Sequence, residues 1–295
     1  MDPLATDASR KRKSDEAFAK KARNRAVIMD TLQQCESLEG LGHVKRSHVC
    51  TLLGTQERIQ SAVLMLTPKV QVRNADCAQV AAELCKIPGA KVWLLNMASA
   101  SKPGGGVMSG CNAQEEHLCR CSNLLPQLRR AAAEGKYPLH LYDHSDTPGF
   151  SVLVHSEVIF FRDPQDYSIL PTDEWSQVGV LTAAAERVEP GQTAGPNAPR
   201  FIDYLLDVAQ MQECSHLVIS AWGCGAFGQS AAEVARCFRL ALERVSMTTL
   251  PEVVFAVVDD HNSKPPGNLH IFKTELEQCG LSVEYMEALG MAVAG

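Results

Sequence analysis

A chain of 295 residues with 45% apolar and 21% charged residues is long enough to bury a core, and this ordinary composition excludes a long disordered or fibrous polypeptide. No run of about 18 apolar residues and no charged-then-apolar leader occurs, so neither a membrane-spanning helix nor a secreted product is expected, and the location expected is cytoplasmic, nuclear or both. The net charge of −6 is uneven: residues 1–25 carry eight Lys or Arg against four Asp or Glu, leaving 20 against 30, a net of −10, in the remainder.

So acidic a body repels nucleic-acid phosphates, and direct nucleic-acid binding is not expected unless the basic tail supplies it. Within that tail Arg10-Lys11-Arg12-Lys13 reads either as a nuclear localisation signal or as a solvated helix end. Residues 8–36 are rich in Ala, Lys, Arg and Gln, with Ala17, Ala22, Ile28, Met29 and Leu32 at loose helical spacing, which predicts a helix frayed at its start. The boundaries expected are a flexible tail over 1–25, a helical accessory region over 26–68 and the main domain over 69–295, with 26–295 forming one compact unit.

KVQVR (69–73) alternates like a strand, and Asp76 with Gln79 then opens an apolar helix that ends at Pro88-Gly89. KVWLLN (91–96) is a short apolar run suited to a strand buried on both faces. A glycine loop follows, then a helix predicted from Asn112 to Leu125 and stopped or kinked by Pro126. Further strands are predicted at 151–155, 158–162, 178–182, 216–221 and 252–258, and helices at 197–213, 230–246 and 268–279. Alternation of strands and helices argues for a mostly parallel sheet covered on both sides.

Eleven cysteines in a chain without a secretory leader predict free thiols. Cys111, His117, Cys119 and Cys121 stand close in sequence, but positions two apart on a helix face different ways, so packing explains them better than a metal.

Two glycine-rich stretches stand where an α/β sheet binds ligands, beyond strand ends: GGGVMSGCNAQEE (104–116) and AWGCGAFGQS (221–230). The second leads into a helix that Ser230 and Glu233 cap, so the amides of residues 223–228 lie near a positive helix end. Glycine lets amides approach an anion without a Cβ in the way, and two such loops suit a diphosphate; turn geometry alone explains glycine loops almost as well. In Gln114-Glu115-Glu116, neighbours on a helix project about 100° apart, so the two carboxylates cannot share one role.

Three glycines, seven residues and then QEE, within LNMASASKPGGGVMSGCNAQEEHLCRCSNL, resemble the signature of poly(ADP-ribose) glycohydrolases of the bacterial or microbial type, and AWGCGAF resembles their second, phosphate-binding loop. The resemblance spans about residues 70–260. It implies a macrodomain-like three-layer α/β/α fold with a mixed, mostly parallel sheet and an N-terminal helical extension. It further implies hydrolysis of the ribose–ribose bond of poly(ADP-ribose), with poly(ADP-ribose) or ADP-ribosylated proteins as partners, ADP-ribose as product, no metal, no cofactor and a monomeric enzyme.

Carried over, Glu116 is the catalytic acid/base and Glu115 holds ribose hydroxyls. Gly104, Gly105, Gly106, Gln114 and Asn96 belong around the distal ribose, and Gly223, Cys224, Gly225, Ala226 and Phe227 form the diphosphate loop. Asp76 stands where an acid can meet an adenine amino group, a reading matched in weight by its capping role. Alternatives are removal of mono-ADP-ribose from proteins and a non-catalytic ADP-ribose reader. His117 is expected to face away as an ordinary helix residue, and His144, His155 and His261 to be rim or core groups. Asp259-Asp260 reads as a strand-end cap, Cys224 as a small residue needed for space, and Trp93 and Trp222 as core.

Overall fold

In the computed structural model, described over residues 3–40, 48–51, 68–141, 149–189, 195–245, 250, 252–259, 263–278 and 283–286, eight strands form one mixed sheet in the order β1-β4-β5-β3-β6-β7-β2-β8. The strands are β1 (His48–Thr51), β2 (Lys69–Arg73), β3 (Val92–Met97), β4 (Ser151–Phe160), β5 (Ser176–Ala183), β6 (His216–Ile219), β7 (Glu252–Ala256) and β8 (Val283–Met286). Six of them run parallel to their neighbours, whereas β4 is antiparallel to both β5 and β1. The predicted strands at 151–155 and 158–162 are thus one strand with an irregularity between His155 and Val158. Neither β1 nor β8 was predicted, and β1 makes part of the accessory region an edge of the main sheet.

The central strands are apolar on both faces because both are covered. Along β3, Trp93 and Leu95 join one core with helices α5 (Ala198–Met211), α6 (Ala231–Leu242) and α7 (Asn268–Glu277). Val92 and Leu94 join the opposite core with α2 (Cys77–Leu84), α3 (Gln114–Cys121) and α4 (Leu124–Ala133). Trp93 and Trp222 are core residues, as expected.

Helix α1 (Pro3–Gly40) crosses the boundary expected at residue 25. It seals the second core with Ile28, stacks Cys35 beside Phe161, and ties Thr31 Oγ1 to Arg120 O at 3.0 Å.

The helix expected over 112–125 is two helices, and Pro126 is not where it stops. Ser122 adopts an extended conformation and bridges to Phe160, and Asn123 docks on β4, donating from its amide to Ile159 O (3.2 Å) and accepting Ile159 N–H through Oδ1 (2.9 Å). Pro126 stands in the first turn of α4, where its missing N–H costs no helical hydrogen bond. Helix α2 also stops at Leu84, short of Pro88-Gly89.

Candidate active site

A cavity of about 470 Å³ opens at the carboxyl ends of β2, β3, β6 and β7, where a doubly wound sheet binds its ligands. Its walls come from Asp76 and Cys77 at the start of α2, Met97 after β3, Asn112, Ala113, Gln114 and His117 around the start of α3, and Gly223, Gly225, Ala226 and Phe227 after β6. The second glycine stretch is therefore a cavity wall. Gly223 needs its positive φ of 77°, and a methyl group there would sit 2.9 Å from Ala185 Cβ. Among the described residues, the amides of Gly223, Gly225, Ala226 and Phe227 meet no backbone acceptor, whereas Cys224 N–H donates back to Ala221 O. Cys224 itself is buried and absent from the wall; burial pushes its thiol up to about 12, so its role is space rather than reactivity.

The first glycine stretch does something different from the expectation of amides free for a ligand. Gly104 N–H donates to Glu115 Oε1 (3.1 Å), and Gly106 N–H donates to Glu116 Oε1 (2.8 Å). Ser99 N–H takes the other oxygen of Glu115 (2.8 Å), and Ala113 N–H that of Glu116 (2.9 Å), the latter being half of a capping box at the start of α3. Gly105, at φ +54°, passes over both: a methyl group there would lie 2.6 Å from Glu116 Oε1 and 3.0 Å from Glu115 Oε2. Only glycine fits this turn over the acids. None of the three glycines lines the cavity: the amides of Gly104 and Gly106 are spent on the carboxyl pair, and that of Gly105 donates to Lys102 O at 2.8 Å.

Both acids are nearly sealed, Glu115 at 3% exposure and Glu116 at 7%. Burial, with the neighbouring Glu116 charge adding to it, pushes Glu115 up to about 8 against the pull of its two amides and of Asn96. Glu115 therefore holds a proton near neutral pH.

Asn96 is fully buried on β3 beneath this pair, with Nδ2 donating to Thr182 Oγ1 at 3.2 Å, and it does not reach the cavity. Gln114 does reach it, yet both ends of its amide are engaged: Oε1 accepts Met97 N–H (2.8 Å) and Nε2 donates to Leu95 O (2.7 Å). It clamps the first turn of α3 to the end of β3.

Asp76 is both cap and wall. Oδ1 accepts the amides of Ala78 and Gln79 at 2.8 and 3.2 Å, while Oδ2 stands 3.3 Å from His117 Nε2. Burial works against its charge, but the His117 contact and the two amides outweigh it and hold the carboxyl below its ordinary value. His117 consequently does not face away. It lines the cavity between Asp76 and Tyr167, whose hydroxyl lies 2.9 Å from His117 Nδ1. Helical spacing carries the signal, since His117 is three residues after Gln114 and on the same face.

His155 is a core group, and burial lowers it to about 3, so its ring is neutral. Asp259 Oδ1 accepts Leu269 N–H (3.2 Å) and so caps the next helix, α7, while Asp260, His144 and His261 lie outside the described residues. Cys119 and Cys121 are buried and Cys111 is exposed.

A sealed carboxyl pair beside an amide-walled cavity, on a macrodomain-like α/β scaffold, marks the chain as a glycosidase. The chain belongs to the family of microbial-type poly(ADP-ribose) glycohydrolase catalytic domains, whose model matches residues 13–163. A poly(ADP-ribose) glycohydrolase variant from Deinococcus radiodurans, solved with ADP-ribose, is 33% identical with a TM-score of 0.60 over 72% of this chain and 86% of that one. The enzyme from Thermomonospora curvata bound to the inhibitor ADP-HPD is 26% identical with a TM-score of 0.67, over 86% of this chain and 99% of that one. A search among curated proteins matched none. No helix among the described residues is long and apolar enough to cross a membrane.

Proposed function

We propose that this glycohydrolase binds the terminal ADP-ribose unit of the polymer in the cavity, and that Glu116 is the acid/base that cleaves the ribose–ribose bond. The observation that carries the reading is the Glu115–Glu116 pair, held by the amides of Ser99, Gly104, Gly106 and Ala113 directly behind the cavity wall. The diphosphate meets the amides of Gly223, Gly225, Ala226 and Phe227, near the start of α6, where the helix dipole favours an anion. Asp76, on the same cavity wall, accepts from the adenine amino group, and Phe227, with Arg187 over its ring at 5.5 Å, packs against the ligand. That ADP-ribose occupies the Deinococcus relative supports the same ligand here.

In the reaction Glu116 protonates the departing ribose oxygen, positive charge develops at the anomeric carbon, the ligand's own diphosphate stabilises that charge, and water attacks that carbon while its proton passes to Glu116. Glu116 is the more open of the two acids, and the amides of Gly106 and Ala113 stabilise its carboxylate once the proton has left. Glu115, pushed up to about 8, keeps its own proton near neutral pH, and Asn96 and Gly104 position it. A placed proton donor contributes roughly 10²- to 10⁴-fold, so the cavity must supply much of the remaining acceleration by orientation. Adjacent carboxyls at one helix start do not provide the opposed acid and base of two-carboxylate glycosidases.

The deciding experiment compares wild type and Glu116→Gln on poly(ADP-ribose) and on a mono-ADP-ribosylated protein, with chromatography of the products. Wild type should release ADP-ribose from the polymer. The variant should lose roughly 10²-fold or more of that rate while ADP-ribose still raises its melting temperature. Equal rates would remove Glu116 from the chemistry, and binding by wild type without release would make the protein a reader.

A further inference from the structure

Resting on poly(ADP-ribose) as the substrate, we propose that the projecting half of α1 is a binding arm for the polymer, holding its diphosphates along one helix face as the chain leaves the cavity. Every side chain from Ser9 to Arg23 is exposed, and Asn24 is the first that is buried. At about 1.5 Å per residue, the stretch from Arg10 to Asn24 extends roughly 20 Å.

The arm springs from the rim of the active site. Asn24 Nδ2 donates to Gly110 O (3.1 Å) and lies 3.4 Å from Asn112 Oδ1, and Asn112 is itself part of the cavity wall. The Lys21 backbone packs against Gly110, which leaves no room for a side chain there. A polymer emerging past Asn112 therefore meets Lys20 and Lys21 first.

Four of the eight basic residues in the first 25 share one face of the arm, while Lys11, Arg12 and Arg23 lie on others. At about 100° per residue, Arg10, Lys13, Lys20 and Lys21 all lie within about 60° of the direction of Asn24, the side that packs on the body, with small Ala17 between them. Asp15 points the opposite way, and Glu16 lies toward a flank, where it pairs with Arg12 at 2.9 Å. Arg23 is used on Asp166 O (2.9 Å), whereas Arg10, Lys13, Lys20 and Lys21 have no acidic partner among the described residues.

Outside the first 25 residues the chain carries a net of −10, so a polyanion is repelled by most of the surface and attracted by this stripe. The cavity has the volume of one nucleotide-sized unit, and the rest of a long polymer must lie outside it. Each further unit brings a diphosphate.

The test is the full chain with Arg10→Gln, Lys13→Gln, Lys20→Gln and Lys21→Gln, substitutions that keep good helix formers. Retention of long poly(ADP-ribose), of duplex DNA and of free ADP-ribose is measured between 50 and 200 mM salt in the Glu116→Gln background, so that the polymer is not consumed, with KM and kcat on long polymer measured for the same substitutions in the otherwise unchanged chain. Affinity for long polymer should fall about tenfold or more, and the slope of log K against log salt should flatten by about 3, as for four lost phosphate contacts. KM should rise with kcat unchanged, and the ADP-ribose affinity should not move. A charge-keeping set, R10K with K13R, K20R and K21R, should behave as wild type.

Unchanged polymer affinity and slope, an equal loss for ADP-ribose, or loss of DNA retention alone would each overturn the proposal. Because retention is read without turnover, failure of the wild type to release ADP-ribose would count against the glycohydrolase reading and not against the arm.

Discussion

Glu115 shows how one residue's surroundings become a measurable property of the whole. Its folded value of about 8 stands above its ordinary 4.5, so the folded state binds the extra proton. The stability this contributes is fully present below about 4.5 and is lost as pH rises through about 8. Glu115→Gln cannot ionise, and its stability should fall less steeply than that of wild type between pH 5 and 8; urea titrations at fixed pH values measure the difference. At the second loop, a side chain on Gly225 would point into open space. Gly225→Asp should therefore fold as wild type yet place a carboxylate among the amides proposed to meet the diphosphate, and the melting-temperature rise caused by ADP-ribose should disappear in a thermal-shift assay. Of the individual residues, Gly223, Gly225, Ala226 and Phe227 stand on the cavity wall, where their motif suggested a ligand-facing loop. His117 was misjudged because a single helical residue gives no sign of which neighbours, here Asp76 and Tyr167, its ring will meet.

The break between α3 and α4 decides where the glutamates point. Asn123 makes it by satisfying both the N–H and the C=O of Ile159 on β4 and by accepting from Gln127 Nε2 at 3.3 Å. Asn123→Ala leaves the Ile159 N–H without its acceptor in a buried place, a loss of about 1–3 kcal/mol by chemical denaturation. Activity should fall along with stability, since α3 carries both acids. Local propensity suggested one continuous helix with a stop at Pro126, because proline is the stronger local signal. The partner that ends α3 lies on a strand 36 residues away, which no window along the chain contains.

At the scale of the molecule, α1 is a lid on one core and a free rod beyond it. Its buried residues begin at Asn24, with Ile28 fully enclosed among Val107, Leu118 and their neighbours. Ile28→Ala should cost about 2–5 kcal/mol in a urea titration, whereas removal of residues 1–19 should change stability by no more than about 0.5 kcal/mol.

From its sequence alone the chain is determined to be an α/β protein with a mostly parallel sheet, glycine loops after β3 and β6, and a glutamate pair at a helix start. Those are local features, written in hydrophobic period, turn residues and capping pattern. Only the tertiary structure decided that the two glycine loops do different work, one binding the enzyme's own carboxyls and the other walling the cavity. It also decided that Asn96 supports rather than lines the site, that His117 joins Asp76, and that β1 and β8 extend the sheet. The physical reason is common to all four. Burial, carboxyl protonation and the destination of a backbone amide depend on atoms brought together from distant parts of the chain, and such contacts leave no period in the sequence.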